Sequence, residues 1–284
     1  MAEVGHNLAG VALDESGTAL AAWGEDRLSL LAVDASIAPR SAELGSQRVR
    51  RVRLADSVVA VLADGDGLRL RTWSRPNLDP GGPGLRWSEV ETDGLLTRGD
   101  RAVLWGRQGA DLDFSAGSPW LRLCELSDPV AEAWHGDGLD AALNGVVYPL
   151  RNGHLGVYSA DTLVELAERD GGWHECGRRP WDGFASCVSS ADGNHILALG
   201  SEGDEDDART YLRVVRLDDD KALTSGSLEE ITVGYATTAE IGEPTALAVG
   251  NDARATVAYV SADLVLHILT LTGDDLAARS VQLG

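Results

Sequence analysis

Gly5-His6-Asn7-Leu8-Ala9-Gly10-Val11-Ala12-Leu13-Asp14-Glu15-Ser16-Gly17, running on from Thr18 to Asp34, is the stretch that decides the fold. Ala9–Leu13 is small and apolar, and Glu15-Ser16-Gly17 turns the chain. Ala19–Trp23 forms a second run, Glu25-Asp26 a second turn and Leu28–Val33 a third run. A weaker fourth follows near Ser41–Gln47. Short apolar runs punctuated by Gly, Asp, Asn and Ser predict antiparallel hairpins, because the period and length suit strands and the punctuating residues tolerate tight turns.

The same pattern recurs along the chain. A second unit has Val49–Leu54, Val58–Leu62, Leu68–Trp73 and Leu85–Glu91. A third has Leu95–Thr97, Ala102–Trp105, Trp120–Leu126 and Val130–Trp134. A fourth has Val146–Leu150, Leu155–Ser159, Thr162–Glu168 and Trp173–Cys176. A fifth has Phe184–Ser189, Ile196–Leu199, Tyr211–Leu217 and Leu228–Val233. A sixth has Thr245–Val249, Thr256–Val260, Leu264–Leu271 and Arg279–Leu283. The turn after the first strand of each unit is an Asp/Asn/Ser/Gly cluster. Four short antiparallel strands at this spacing predict an all-β, six-bladed β-propeller, with a seven-bladed ring as the alternative if residues 182–243 hold an extra blade. One domain over 1–284 is expected, with blades near 6–47, 48–92, 93–137, 138–182, 183–235 and 236–284. First and last units each hold their own first and fourth strands, so no strand exchange between the termini is needed, although Ala2–Val4 can still add to the last blade.

The first unit resembles one blade of the WD-repeat-like or YVTN-like propeller superfamily. The Gly-His pair of that family and its turn aspartate fall on Gly5, His6 and Asp26, and its terminal Trp-Asp becomes Val33-Asp34. Ser189-Ser190-Ala191-Asp192-Gly193 carries the likeness into the fifth unit. The resemblance implies a propeller that binds other proteins rather than an enzyme; fold alone does not license an activity.

Composition narrows the partners. Lys and Arg total 24 against 45 Asp and Glu, a net charge of −21, and Lys221 is the single lysine. An acidic chain nearly free of lysine resembles the proteins of salt-in halophiles, whose carboxylates keep the surface hydrated where salt screens charge. Duplex nucleic acid is a poor ligand for it, because phosphate binding needs clustered Lys and Arg. No basic, apolar leader and no apolar run of bilayer length is read, so a soluble, cytoplasmic protein without a membrane span is expected. Cys124, Cys176 and Cys187 are too few, and odd in number, for a disulfide framework, and suit free thiols.

Two connections between second and third strands are long: Gly106–Ser118, with Arg107, Asp111, Asp113 and Phe114, and Glu202–Arg209, with Asp204, Asp206 and Arg209. In a propeller both project from one face, and long loops on a rigid frame are where binding concentrates. With Trp181 in the link between the fourth and fifth units, these residues form the expected partner face, the competing reading being solvated acidic loops. Arg48, Arg50, Arg51 and Arg53 form the basic cluster; alternation along an inner strand sends some arginines to the channel, where an anion can bind, and others to a neighbouring blade. His174-x-Cys176 with Cys187 offers zinc-like ligand types but only three of them. His154 and His195 read as structural residues beside turns. No nucleophile elbow, phosphate loop or zinc-protease motif is present, and no catalytic residue, metal or cofactor is expected. A metal-dependent propeller hydrolase or lactonase, whose residues converge from several blades, and an anion-sensing propeller are the alternatives.

Overall fold

A computed structural model describes residues 8–14, 16–32, 40–64, 67–75, 77–81, 84–87, 92, 94–98, 101–108, 118–126, 147–150, 153–159, 162–169, 172–180, 186–190, 192–203, 208–217, 230–239, 241 and 245–282. Among the described residues the regular structure is strands, apart from a 3-10 turn at Gly153. The first sheet is β1 (Gly10–Leu13), β2 (Ala19–Trp23), β3 (Arg27–Ala32) and β4 (Arg40–Glu43). The second is β5 (Arg48–Leu54), β6 (Ser57–Asp64), β7 (Gly67–Ser74) and β8 (Leu85–Trp87). The third is β9 (Gly94–Arg98), β10 (Arg101–Gln108) and β11 (Ser118–Glu125). The fourth is β12 (Val147–Pro149), β13 (Leu155–Ser159), β14 (Thr162–Arg169) and β15 (Gly172–Pro180). The fifth is β16 (Ser186–Ser189), β17 (His195–Glu202), β18 (Arg209–Leu217) and β19 (Glu230–Thr238). The sixth is β20 (Thr245–Val249), β21 (Ala255–Val260), β22 (Val265–Thr272) and β23 (Asp275–Gln282).

Every sheet is an antiparallel meander in chain order, the arrangement of a propeller blade. Five sheets among the described residues have four strands, which corrects the expectation of six four-stranded blades. The third sheet has three, and the fourth strand expected at Val130–Trp134 lies outside the described residues. No seventh sheet is found among the described residues. First strands touch in sequence, β1 on β5, β5 on β9, β9 on β12, β12 on β16, β16 on β20 and β20 back on β1.

Second strands such as β2, β6 and β10 are apolar on both faces because their sheets are packed on both sides. Along β6 the alternation sorts the side chains: Val58, Ala60 and Leu62 join Ala12, Ala21 and Leu28 of the first sheet, while Val59 and Val61 join Leu95, Ala102 and Leu104 of the third. Val103 and Trp105 meet Leu155, Val157, Val164 and Leu166 in the same way. The first and sixth sheets close on each other through Val11, Leu13, Leu20 and Ala22 against Ala246, Ala258, Val260, Leu266 and Ile268. Among the described residues no strand is exchanged between them, and apolar side chains pack across this junction.

The recurring turn after the first strand has a physical basis. The buried Asp14 carboxylate accepts hydrogen bonds from the Thr18 N–H at 2.7 Å, the Ala19 N–H at 3.0 Å and the Ser16 and Thr18 hydroxyls at 3.0 and 3.1 Å. Arg75 of the second sheet pairs with it at 3.2 Å, joining turn to neighbour. In the fifth sheet Ser190 donates to Asp192 at 2.6 Å and accepts from the His195 N–H at 3.0 Å. Gly17 and Gly193 close these turns at φ of 65° and 71°, the left-handed region glycine enters without a Cβ clash; Ala253 takes the same place in the sixth sheet at 66°. Of the first unit's Gly-His, turn-Asp and terminal positions, Asp26, an exposed turn residue, is described; Gly5, His6, Val33 and Asp34 lie outside the described residues.

Candidate functional site

Trp23, the last residue of β2, and Trp105, within β10, stand directly opposite Gly10 and Gly94 of the first strands, which corrects the expectation that Trp105 ends its strand. A Cβ at either glycine would overlap the indole, so each ring lies across its glycine. Both tryptophans serve packing within and between sheets rather than the rim.

Connections from second to third strands leave the same end of each meander. In the third sheet the pairing runs on to Gln108 opposite Ser118, so Arg107 is a strand residue opposite Pro119, which corrects its placing in the loop. Asp111, Asp113 and Phe114 lie outside the described residues, as do Trp181, Asp204 and Asp206. In the fifth sheet Glu202 and Arg209 form the last rung before the loop, and Arg209 is exposed. Tyr235, 39% exposed, donates its hydroxyl to Glu202 at 2.5 Å and stacks on Tyr211 at 6.3 Å between ring centroids. Nothing in the local sequence distinguished Tyr235, because only the register of β17, β18 and β19 carries its ring to Glu202.

The arginine strand does not alternate as expected. A β-bulge between Val49 and Arg51 leaves Arg50 unpaired and shifts the register. Arg48, Arg51 and Arg53 stand opposite Ala63, Val61 and Val59, on one face, while Val49, Val52 and Leu54 pack toward the first sheet. Arg53 Nε donates to the Leu95 carbonyl of β9 at 2.7 Å, and Arg51 to the Arg50 carbonyl at 2.8 Å. Arg48, Arg50 and Arg51 are exposed. The cluster thus ties the second sheet to the third through Arg53 and leaves three basic groups at the surface.

One set of donors converges that the sequence spacing did not disclose. His154 precedes β13, Glu165 lies within β14 and Cys176 within β15. Their ligand atoms lie within 4.8 Å of one another. His154 Nδ1 is 2.5 Å from Glu165 Oε1 and 3.9 Å from Cys176 Sγ, and the thiol also points at the Glu165 carbonyl oxygen at 3.5 Å. His174 and Cys187, the partners expected for Cys176, are not in this set. Burial first, and then the neighbouring Glu165 carboxylate, push the Cys176 thiol above its ordinary value. A thiol shifted in this direction is a weaker nucleophile at neutral pH than an ordinary cysteine.

No family model matches the sequence, and no curated protein matches it. Solved structures do. The chain is similar to Hsv2 of Kluyveromyces lactis, with TM-score 0.54, 11% identity and coverage of 98% of this chain and 99% of that one. It is similar to a chain of a mitotic checkpoint complex, with TM-score 0.55, 13% identity, and 94% and 77% covered. It is also similar to a candidate 6-phosphogluconolactonase of Bacteroides uniformis, with TM-score 0.52, 13% identity, and 95% and 87% covered. Likeness at these identities establishes the β-propeller fold and nothing of the chemistry.

Proposed function

We propose that this chain is a non-enzymatic, six-bladed propeller that binds another protein through the face carrying loops 106–118 and 202–209. The observation that carries the reading is the ring of first-strand contacts with both sides of the sheets packed in apolar clusters, a frame stiff enough to hold the two longest second-to-third connections on one side. Arg209 and Tyr235 stand exposed beside the second of these loops, and tyrosine and arginine are the side chains most often found at energetic centres of interfaces. Arg107, Asp111, Asp113, Phe114, Trp181, Asp204 and Asp206 complete the proposed contact set. The described first strands, which face the centre of a propeller, contain no Asp, Glu or His. The acidity fits a protein working in concentrated salt inside the cell.

Affinity capture with the wild-type chain and with variants whose residues 109–117 or 203–208 are replaced by Gly/Ser linkers tests the reading. A partner held by the wild type and lost with the replaced loops supports it. The same partners held by every variant, with circular dichroism unchanged, overturn it.

A further inference from the structure

His154 immediately precedes β13, Glu165 lies in β14 and Cys176 in β15, and two features of the backbone make room around them. Both cross-strand neighbours of Glu165 are glycines, Gly156 in β13 and Gly177 in β15. A Cβ at Gly177 would stand 3.5 Å from Glu165 Oε2, so its absence leaves space beside the carboxylate. The register of β15 also slips here: Glu175 pairs with Leu166 and Gly177 with Glu165, so Cys176 is the extra residue of a β-bulge. Bulges re-aim side chains, and this one brings Cys176 Sγ within reach of His154 Nδ1. The apolar residues of β13 and β14, Leu155, Val157, Val164 and Leu166, occupy the other face against the third sheet.

We propose that His154 Nδ1, the Glu165 carboxylate and Cys176 Sγ form a binding site for a thiophilic divalent cation, zinc by ligand type, with a fourth position open to solvent. One imidazole, one carboxylate and one thiolate are ligands zinc accepts together, whereas calcium and magnesium take oxygen alone. Donors at zinc-ligand distances of a common ion stand roughly 3–4 Å apart. The 3.9 Å Cys176–His154 separation already meets this, and the 2.5 Å His154–Glu165 contact reaches it by a small opening of the pair as the metal takes the place of their hydrogen bond. His154 and Glu165 are half-buried and Cys176 is exposed, so the ion enters from solvent without unfolding the sheet. Bound there, it staples β13, β14 and β15 and keeps a position for water or a further ligand. This site is independent of the loop face.

Cobalt(II) titrated into the full chain under a phosphine reductant is the test, because a cysteine thiolate on tetrahedral cobalt gives a charge-transfer absorption. One equivalent is expected to bind with that absorption, and zinc is expected to displace it and to raise the unfolding temperature. Cys176→Ser, at an exposed position, should abolish the absorption; His154→Gln and Glu165→Gln should each weaken binding at least tenfold. Cys124→Ser and Cys187→Ser should leave it unchanged. Failure to take up one equivalent, or an absorption that survives Cys176→Ser or disappears with Cys187→Ser, overturns the proposal.

Discussion

The first and sixth sheets meet through apolar side chains, and Leu20 is where that packing can be measured. Leu20 is 1% exposed in β2, in the cluster that joins the first sheet to Ile268 and Leu266 of the sixth. Leu20→Ala removes three carbons, about 2.4 kcal/mol at roughly 0.8 kcal/mol per buried CH2. The cavity left in a packed interface adds to this, for a total of about 3–4 kcal/mol. At roughly 2–4 °C per kcal/mol for a chain of this size, the unfolding temperature should fall by about 6–16 °C. Ile268→Ala alone should destabilise to a similar extent. The double variant should show a coupling of about 0.5–3 kcal/mol, since both residues belong to one cluster. Urea unfolding at fixed salt, followed by tryptophan fluorescence, gives all four corners of the cycle. A single-variant loss below about 1 kcal/mol, or strictly additive losses, would mean that the first and sixth sheets do not share a core.

Ala253 holds a left-handed conformation, φ 66°, where the corresponding turns have glycine, so Ala253→Gly should stabilise the chain by about 0.5–1 kcal/mol in the same unfolding assay; a loss of stability would refute the turn equivalence. Burial pushes the Cys187 thiol up to about 11, so at pH 8 only about one molecule in a thousand carries the thiolate. Iodoacetamide should therefore label Cys187 only after unfolding, and mass spectrometry showing fast labelling of the native chain would contradict this. Burial by itself would raise the Asp192 pKa, but hydrogen bonds from Ser190 and from the Asn194 backbone and side chain outweigh it and hold the carboxyl below its ordinary value. A depressed folded-state pKa stabilises above the unfolded value, about 3.9, and the contribution disappears as pH falls through the folded one. Asp192→Asn should flatten the acid limb of stability below about pH 4; an unchanged limb would remove Asp192 from that role. Raising KCl from about 0.1 to 1 M shortens the screening length from about 10 to 3 Å, so a chain of net charge −21 should gain stability throughout, and a loss would argue against the high-salt reading.

Strand positions were legible because apolar runs and turn residues are local. Ala19–Trp23, Leu155–Ser159 and Thr245–Val249 fall where alternation and punctuation place them. The bulges were not legible. Arg48-Val49-Arg50-Arg51-Val52-Arg53 breaks alternation at its doubled arginine, and the slip at Arg50 sends Arg48, Arg51 and Arg53 to one face while Val49, Val52 and Leu54 fit the first sheet. The cation site was hidden for the same reason. His154, Glu165 and Cys176 are separated by whole hairpins, and only strand pairing and the slip at Cys176 bring them together. Gly156 and Gly177 were the available signal, once the pairing of β14 was known to set Glu165 between them. Arg107 was misplaced because backbone pairing continues through Gly106 without an apolar pattern to announce it.

The protein-binding face is the central claim, and the chain's own composition offers a direct measurement of it. With 45 carboxylates and a single lysine, carboxyl-directed dihydrazide cross-linking followed by mass spectrometry reads the surface of a captured complex. Cross-links to the partner should concentrate on Asp111, Asp113, Asp204 and Asp206, beside the loops of the third and fifth blades. Cross-links concentrated on Asp56, Asp192 and Asp252, at the turns on the opposite side, would contradict it.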